Sequence, residues 1–184
     1  MKISGKKLTE AMRKAATTPE QLADSIADKG FKPDAAASAI RNWMRGNDHP
    51  RCKAVHAAKM AEALGVFPKD ICTFQSQVRG HRGSPRKAKL VTDLIRGKSV
   101  DQALNLLGFT PKRAAVNIKK ALTAAVADAQ QADADETTLY VCDSRVDAGT
   151  RMKRFQPKDR GRAHPITKMF SHITVAVEER TKKG

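Results

Sequence analysis

Two β-rich runs, Thr138–Cys142 and Ile173–Val177, enclose about thirty residues that have no helical periodicity. A structureless loop of that length is uncommon inside a compact domain. Gly149, Pro157 and Gly161 suit bends within it, and the flanking runs have the composition of an antiparallel pair. The sequence therefore predicts an extended β-hairpin with arms of about ten residues, reaching about 30–35 Å at ~3.3 Å per residue. We expect its distal part to pack against another molecule.

The segment 145–168, the arm of this hairpin, carries eight Lys or Arg residues and two Asp residues. Arginine can bind one phosphate through two N–H groups and can stack on a base. An isolated hairpin is only marginally stable in water. We therefore expect the arm to become ordered when RNA phosphates surround it. The alternative is a charged loop that is merely solvated.

The whole chain has a formal charge of +16 over 184 residues and a pI of about 10.1. Residues 1–78 carry 13 basic and 8 acidic side chains, and residues 79–184 carry 22 and 11. Such an excess repels itself unless a polyanion neutralises it, and nucleic acid is the commonest such partner. Aromatic residues make up only 4% of the chain, which disfavours the RNA-binding folds that stack bases on aromatic platforms.

The sequence favours a cytoplasmic protein that does not enter a membrane. No apolar run approaches the ~20 residues of a membrane span, and residues 1–7 lack the apolar core of a signal peptide. The three cysteines include no CxxC pair and are expected to stay reduced. Cys52 and His56 have the i,i+4 spacing of ligands on a helix, but no second ligand pair lies nearby, so we expect no metal and no cofactor. No catalytic set of residues is recognisable, which predicts that the chain is not an enzyme.

The first half, residues 1–75, is predicted to be a small all-α bundle. Thr18 and Gln21 have the spacing of a capping box at a helix start. Further helices are predicted over Ala36–Met44 and along the apolar stripe that ends at Leu64, with Trp43 in the core. The domain boundary is predicted near residues 74–78, which leaves 76–184 as the second domain.

In the second domain, three helices precede the β-rich runs. The first opens at Ser84-Pro85, and the second has a predicted capping box of Ser99 and Gln102. The third is predicted to start at Thr110-Pro111. Its helical stripe consists of Ala115, Ile118, Leu122, Ala125 and Ala129.

Motifs of this second domain occur in an order and at a spacing that match a known family. They are Ser84–Val91, Asp93–Lys98, Gln102–Leu104, Lys112–Ala115, Lys119-Lys120, Asp147, Met152–Arg154, Gly161–Ala163 and Ser171–Val175. Through these motifs the stretch from about Val78 to Arg180 resembles the universal large-subunit ribosomal protein family number twenty-two, in its bacterial type.

The resemblance implies an α+β fold, with three helices on a small antiparallel sheet and a long protruding β-hairpin. It implies a globular part on the large ribosomal subunit near the polypeptide exit. The hairpin would contact several domains of the 23S-type rRNA and neighbouring ribosomal proteins, and it would line the exit tunnel for the nascent polypeptide. Met152, Lys153 and Arg154 match the family's tip motif at the tunnel constriction, where changes affect macrolide resistance. We expect a structural constituent of the subunit that also aids its assembly.

The candidate RNA contacts are basic residues of the strand end, the helices and the arm. Arg86, Lys87 and Lys89 match basic positions on the family's first helix. The complete set is Arg79, Arg82, Arg86, Lys87, Lys89, Lys112, Arg113, Lys119, Lys120, Arg145, Arg151, Lys153, Arg154, Lys158, Arg160, Arg162, His164 and Lys168. His81 could touch phosphate or stand at a solvated strand end.

The first 75 residues depart from the family pattern and resemble a Cro/repressor-type helix-turn-helix domain. The matching features are Gln21-Leu22-Ala23, Ile40, Arg45-Gly46 followed by Pro50, and Met60–Val66. The stretch between Ile26 and Ala36 is longer than the usual tight turn and contains Gly30 and Pro33, which disfavours docking in a DNA major groove.

Two other functions fit parts of this sequence. The first is a DNA-binding transcriptional regulator that acts through the N-terminal bundle. The second is an RNA chaperone or assembly factor that leaves the particle before translation.

Overall fold

The computed structural model describes residues 1–27 and 31–180, and its contacts divide the chain into two compact units. The first unit comprises Met1–Phe74, Asp128–Asp135 and the C-terminal residues from Glu178. The second unit comprises Gln75–Ala127 and Glu136–Val177.

The first unit is mainly helical. Its elements are β1 (Lys2–Ile3), α1 (Gly5–Lys14), α2 (Pro19–Ile26), α3 (Pro33–Met44), α4 (Ala54–Leu64) and the short α5 (Pro68–Ile71). The predicted capping box opens α2, since Thr18 Oγ1 accepts from the Gln21 N–H at 3.4 Å and Gln21 Oε1 accepts from the Thr18 N–H at 3.0 Å. Trp43 is 1% exposed, which confirms its place in the core.

Ion pairs connect α1 and α5 of this unit to its C-terminal residues. Lys7 Nζ lies 2.5 Å from a carboxylate oxygen of Glu178, and Lys69 Nζ lies 3.5 Å from Glu179. The same Lys69 ammonium donates to the Asp133 carbonyl at 3.3 Å. The compact unit therefore includes residues far along the chain, and a fragment cut at residue 75 would lack these partners.

The second unit contains α6 (Pro85–Ile95), α7 (Val100–Phe109) and most of α8 (Arg113–Gln130). The apolar stripe predicted for α8 is buried over its whole length, from Ala115 to Ala129. Ala88, Val91 and Ile95 form the buried face of α6. These three helices confirm the predicted helical part of the second domain.

The four strands that the described residues contain form one sheet in the order β1-β2-β4-β3. Its longer strands are β2 (Cys72–Arg82), β3 (Leu139–Pro157) and β4 (Ala163–Glu179). β1 pairs antiparallel with the start of β2, with Lys2 opposite Thr73 and Ile3 opposite Cys72. This arrangement of helices and sheet confirms the predicted α+β class.

Local details differ from the sequence expectations. Pro33 is the first residue of α3, a position where its missing N–H costs nothing, so this helix begins three residues before the predicted Ala36, while Gly30 lies outside the described residues. Cys52 precedes α4, so its spacing to His56 is not helical, and the His56 ring stacks on Phe31 at 5.3 Å between centroids. Strand β2 runs through the polar stretch near residues 74–78, and the first and second units divide within it, between Phe74 and Gln75.

Within residues 1–27 and 31–180, no helix combines the length and the apolarity that a membrane crossing requires.

Candidate nucleic-acid interface

The hairpin of β3 and β4 is the most exposed part of the second unit. Every residue from Thr150 to Pro165 is exposed, whereas Leu139, Val141, Ile173, Val175 and Val177 at its base are at most 1% exposed. The two strands are paired along one sheet, and five residues connect them. The predicted extended hairpin is therefore confirmed, and its strands are longer than the predicted arms.

A tight turn closes the hairpin. The Lys158 N–H donates to the Arg162 carbonyl at 2.7 Å, and the Arg162 N–H donates to the Asp159 carbonyl at 3.2 Å. Arg160 and Gly161 both have positive φ, at 55° and 74°. Two successive positive φ values are what a type I′ turn requires, and this turn matches the twist of paired strands. The turn therefore holds Arg160 exposed at the end of the arm.

The cations of the arm have almost no counterions within the chain. Arg145 Nε lies 3.8 Å from an Asp147 carboxylate oxygen, and both side chains are about half exposed. Among the described residues, the other seven Lys and Arg side chains of residues 145–168 make no ion pair. Their mutual repulsion is uncompensated inside the molecule, so a polyanion on this arm would lower the electrostatic free energy.

The base of the hairpin is fastened to the end of α6. The Gly97 N–H donates to the Val141 carbonyl at 2.9 Å, and the Val141 N–H donates to the Lys98 carbonyl at 2.9 Å. The Arg96 guanidinium donates to the Ser144 carbonyl, next to Arg145. The arm therefore emerges from a base that backbone hydrogen bonds hold in place.

A close approach of the two strands occurs at Gly149. A Cβ atom there would lie 3.0 Å from the Phe170 carbonyl oxygen and 3.3 Å from His172 Nε2. His172 Nδ1 in turn accepts from the Gly80 N–H at 3.1 Å, which links β4 to the end of β2. The absence of a side chain at residue 149 thus lets the strands pass from the buried base into the exposed arm.

His81 links the end of β2 to α8. It is 6% exposed, and its Nδ1 lies 2.7 Å from Asn117 Nδ2. Burial, together with the nearby charge of Arg113, lowers the pKa of His81 below its usual value. His81 stands near the end of its strand as expected, but the solvated alternative was wrong, because the ring is enclosed. Its neighbours Arg79 and Arg82 are exposed, so the buried ring fixes a strand end that presents two cations.

All of the predicted RNA-contact residues lie on the surface. On α6, Arg86, Lys87 and Lys89 are exposed, and on α8 the two lysines Lys119 and Lys120 are exposed. These two lysines stand at an open groove of about 670 Å³ between α7 and α8. Sequence reasoning did not predict this groove, because the stripe of alanines on α8 signals only close helix packing.

Sequence reasoning missed two exposed apolar side chains at the arm. Phe155 is 76% exposed, and Met169, the residue after the arm, is 38% exposed, the same fraction as Met152 of the tip motif. Apolar residues in a strand that has no core beside it are the sequence signal that could have shown them. They give the arm groups that can pack against bases or another chain, in addition to its charges.

Comparisons with known proteins match the second domain. The family model described as "Ribosomal protein L22p/L17e" matches residues 76–178. The chain is 46% identical over 112 residues to the large ribosomal subunit protein uL22 of Lactobacillus delbrueckii subsp. bulgaricus, covering 60% of this chain and 96% of the relative. It is 43% identical over 113 residues to the protein of the same name from Lactobacillus helveticus, covering 61% and 97%.

The matched range 76–178 carries α6, α7, α8 and almost all of the hairpin, and almost the whole length of the two relatives is covered. The family model spans more than half of the 184 residues. The chain therefore belongs to the ribosomal protein L22p/L17e family.

Proposed function

We propose that this protein is a structural constituent of the large ribosomal subunit in the cytoplasm, binds large-subunit rRNA through residues of its second unit, and catalyses no reaction. The observation that carries the proposal is the arm, in which seven exposed cations have no ion-pair partner among the described residues. The names of its relatives, large ribosomal subunit protein uL22, support the same role.

The electrostatic part of this function is the neutralisation of clustered phosphates during assembly. The candidate contacts on α6, on α8, at the end of β2 and on the arm are all exposed, and the arm itself contains only two acidic residues. Because each phosphate contact releases counterions, binding through them should weaken steeply as salt increases. Arginine predominates on the arm and can bind a phosphate through two N–H groups.

The architectural part is a contribution to the wall of the polypeptide exit tunnel. Met152, Lys153 and Arg154 are exposed and lie on β3 before the turn. With neighbouring ribosomal proteins they would border the path of the nascent polypeptide. Residues 1–75 would be an additional helical domain, attached to a second domain of residues 76–184.

An RNA-binding titration tests the electrostatic part directly. The arm variant combines Arg151→Ala, Lys153→Ala and Arg154→Ala in the full chain. The matched control removes three exposed cations from α1 instead, through Lys6→Ala, Arg13→Ala and Lys14→Ala. Binding to purified large-subunit rRNA is measured by filter retention between 50 and 200 mM salt.

The arm variant should bind about tenfold or more weakly at the higher salt, and its plot of log K against log salt should be less steep by about 2 to 3. The control should change the affinity by less than about threefold, since its three cations lie in the first unit, outside the proposed contacts. Equal affinities for the arm variant and the control would contradict the proposed function.

Deletion of Met152–Arg154 tests the architectural part. Particles that contain the deleted protein should assemble, but the tunnel should be wider or differently shaped, and macrolide sensitivity should change. A cryo-EM map and a drug-response assay measure the two effects. An unchanged tunnel together with an unchanged drug response would refute the tunnel role.

A further inference from the structure

The first unit carries a second group of cations, which the function proposed above does not use. Arg45, Arg51 and Lys53 are exposed and follow the end of α3 within nine residues. In the described part of the chain none of the three makes an ion pair. The stretch 45–53 contains one acidic residue, Asp48, so its charge is positive. These three side chains are called the loop surface below.

The backbone that carries the loop surface is held against the core. Trp43, which is almost fully buried, donates from its indole N–H to the Pro50 carbonyl at 2.7 Å. Asn42 Nδ2 donates to the His49 carbonyl at 3.2 Å. Two side chains of α3 therefore hold the backbone of the loop in place through hydrogen bonds. Cations on a fixed backbone lose less conformational entropy when they bind than cations on a free loop.

The composition of this surface favours phosphate over a protein partner. None of the exposed residues from Arg41 to Lys53 is a large apolar side chain. Protein interfaces usually have a fully buried centre of aromatic or aliphatic residues, which this surface does not offer. Two guanidinium groups and one ammonium group suit a backbone of phosphates instead.

The rest of α3 does not favour reading of a base sequence. Its exposed N-terminal half presents Asp34, Ala35 and Ser38, which include one acid and no cation. Arg41 is engaged by Glu20, and this bond lowers the pKa of the Glu20 carboxyl. Six residues connect α2 to α3, more than the three or four of a helix-turn-helix. Contacts to phosphates alone position a protein but do not specify a sequence.

We propose that the loop surface is a second RNA-binding site, which contacts the RNA phosphate backbone without sequence selectivity. This inference rests on the proposed ribosomal role, because that role supplies RNA as the polyanion. The site lies in the first unit, outside the region that the family model matches. Through it the N-terminal residues of this protein would anchor on RNA independently of the arm.

The test uses the full chain, because the first unit includes residues beyond position 128. The loop variant combines Arg45→Ala, Arg51→Ala and Lys53→Ala. It is compared with the α1 control and with the arm variant, each of which also removes three cations and therefore has the same net charge. A combined loop-and-arm variant is measured as well. The probes are a 20-base-pair RNA duplex of arbitrary sequence and a DNA duplex of the same sequence. Far-UV circular dichroism verifies that each variant is folded.

The loop variant should bind the RNA duplex about tenfold more weakly than the α1 control at 200 mM salt, with a salt slope lower by about 2 to 3. The same loss should appear in the arm-variant background, since the two sites share no residue. A loop variant equal to the α1 control overturns the inference. So does a loss confined to the DNA duplex, which would indicate a DNA-binding bundle. If the loop variant binds like the α1 control and the arm variant binds more weakly, the inference fails and the proposed function stands. If the loop variant binds more weakly and the arm variant binds like the α1 control, the proposed function fails and the inference about the loop surface stands.

Discussion

The base and the arm of the hairpin belong to the same two strands but have opposite surroundings. Ile173, Val175 and Val177 at the base are fully buried, whereas the residues of the arm from Thr150 to Pro165 are exposed on both faces. The base contributes to the hydrophobic core, and the arm contributes charge. The difference shows that secondary structure continues along a strand after the core that stabilises it has ended.

The free energy of folding should therefore depend on the base and hardly on the arm. Ile173→Ala removes buried methyl and methylene groups, and the free energy of unfolding should fall by about 2–5 kcal/mol. Phe155→Ala, the matched change on the exposed arm, should alter it by no more than about 0.5 kcal/mol. Urea unfolding of the free protein, followed by circular dichroism, measures both values. Similar losses for the two variants would mean that the arm has a core of its own.

The base could be predicted from sequence because burial leaves a pattern. The stripe from Ala115 to Ala129 predicts its buried face correctly, and Ile173–Val177 is buried on both faces, Thr174 and Ala176 included. Strand β2 was missed because its middle, Gln75-Ser76-Gln77, is polar and resembles a linker. A strand with one half-exposed face needs little apolar sequence, since its neighbours supply the hydrogen bonds.

Capping shows a similar limit. The capping box at Thr18 is present, but Ser99 makes no side-chain cap hydrogen bond at the start of α7. Residues 97–99 are instead held by backbone bonds to β3, including the Val141 N–H to the Lys98 carbonyl and a bridge between Ser99 and Tyr140. A tertiary contact of this kind has no local signature. The placement of the cations on the surface was predictable for the opposite reason, because a charge without a partner is rarely buried.

Gly149 lies where the strands pass from the buried base to the exposed residues that begin at Thr150, and a substitution there should reduce the stability that the base provides. Gly149→Val places side-chain atoms against the Phe170 carbonyl, and the strands must separate locally. The free energy of unfolding should fall by about 1–3 kcal/mol. The control is Ala148→Val on the adjacent, exposed position, where a β-branched residue should change the free energy by no more than about 0.5 kcal/mol. Equal effects in urea unfolding would show that the close approach at residue 149 is unimportant.

The buried His81 and the exposed His164 of the arm should affect the pH dependence of stability differently. The pKa of His81 is lowered in the folded protein, so as the pH falls below the ordinary value of 6.5 the unfolded chain binds a proton that the folded chain does not. Stability is therefore complete above pH 6.5 and decreases toward acid, by less than about 1.4 kcal/mol for each pH unit.

His81→Gln keeps an amide partner for Asn117 but cannot titrate, so its stability curve between pH 7 and pH 5 should be flatter. Urea unfolding at several pH values measures the slope. His164→Gln on the exposed arm is the control, and it should retain the slope of the unchanged protein. An equal slope in the His81 and His164 variants would show that the buried ring does not cause the pH dependence.

The smallest effect is expected at the turn, where the stability of the free hairpin and the binding of RNA should change in opposite directions. Arg160 has a φ of 55°, which a long side chain adopts at a cost, whereas Asn followed by Gly is the preferred pair for a type I′ turn. Arg160→Asn should therefore raise the free energy of unfolding by about 0.5 kcal/mol, since Asn adopts the left-handed backbone conformation at less cost than Arg. The same change removes an exposed cation, so rRNA affinity at 200 mM salt should fall by a few fold, with a salt slope lower by about 1. Arg162→Asn removes a charge from extended backbone two residues away and should weaken binding without stabilising the turn. A gain in both stability and affinity for Arg160→Asn would mean that the arm binds through its shape and not through its charge.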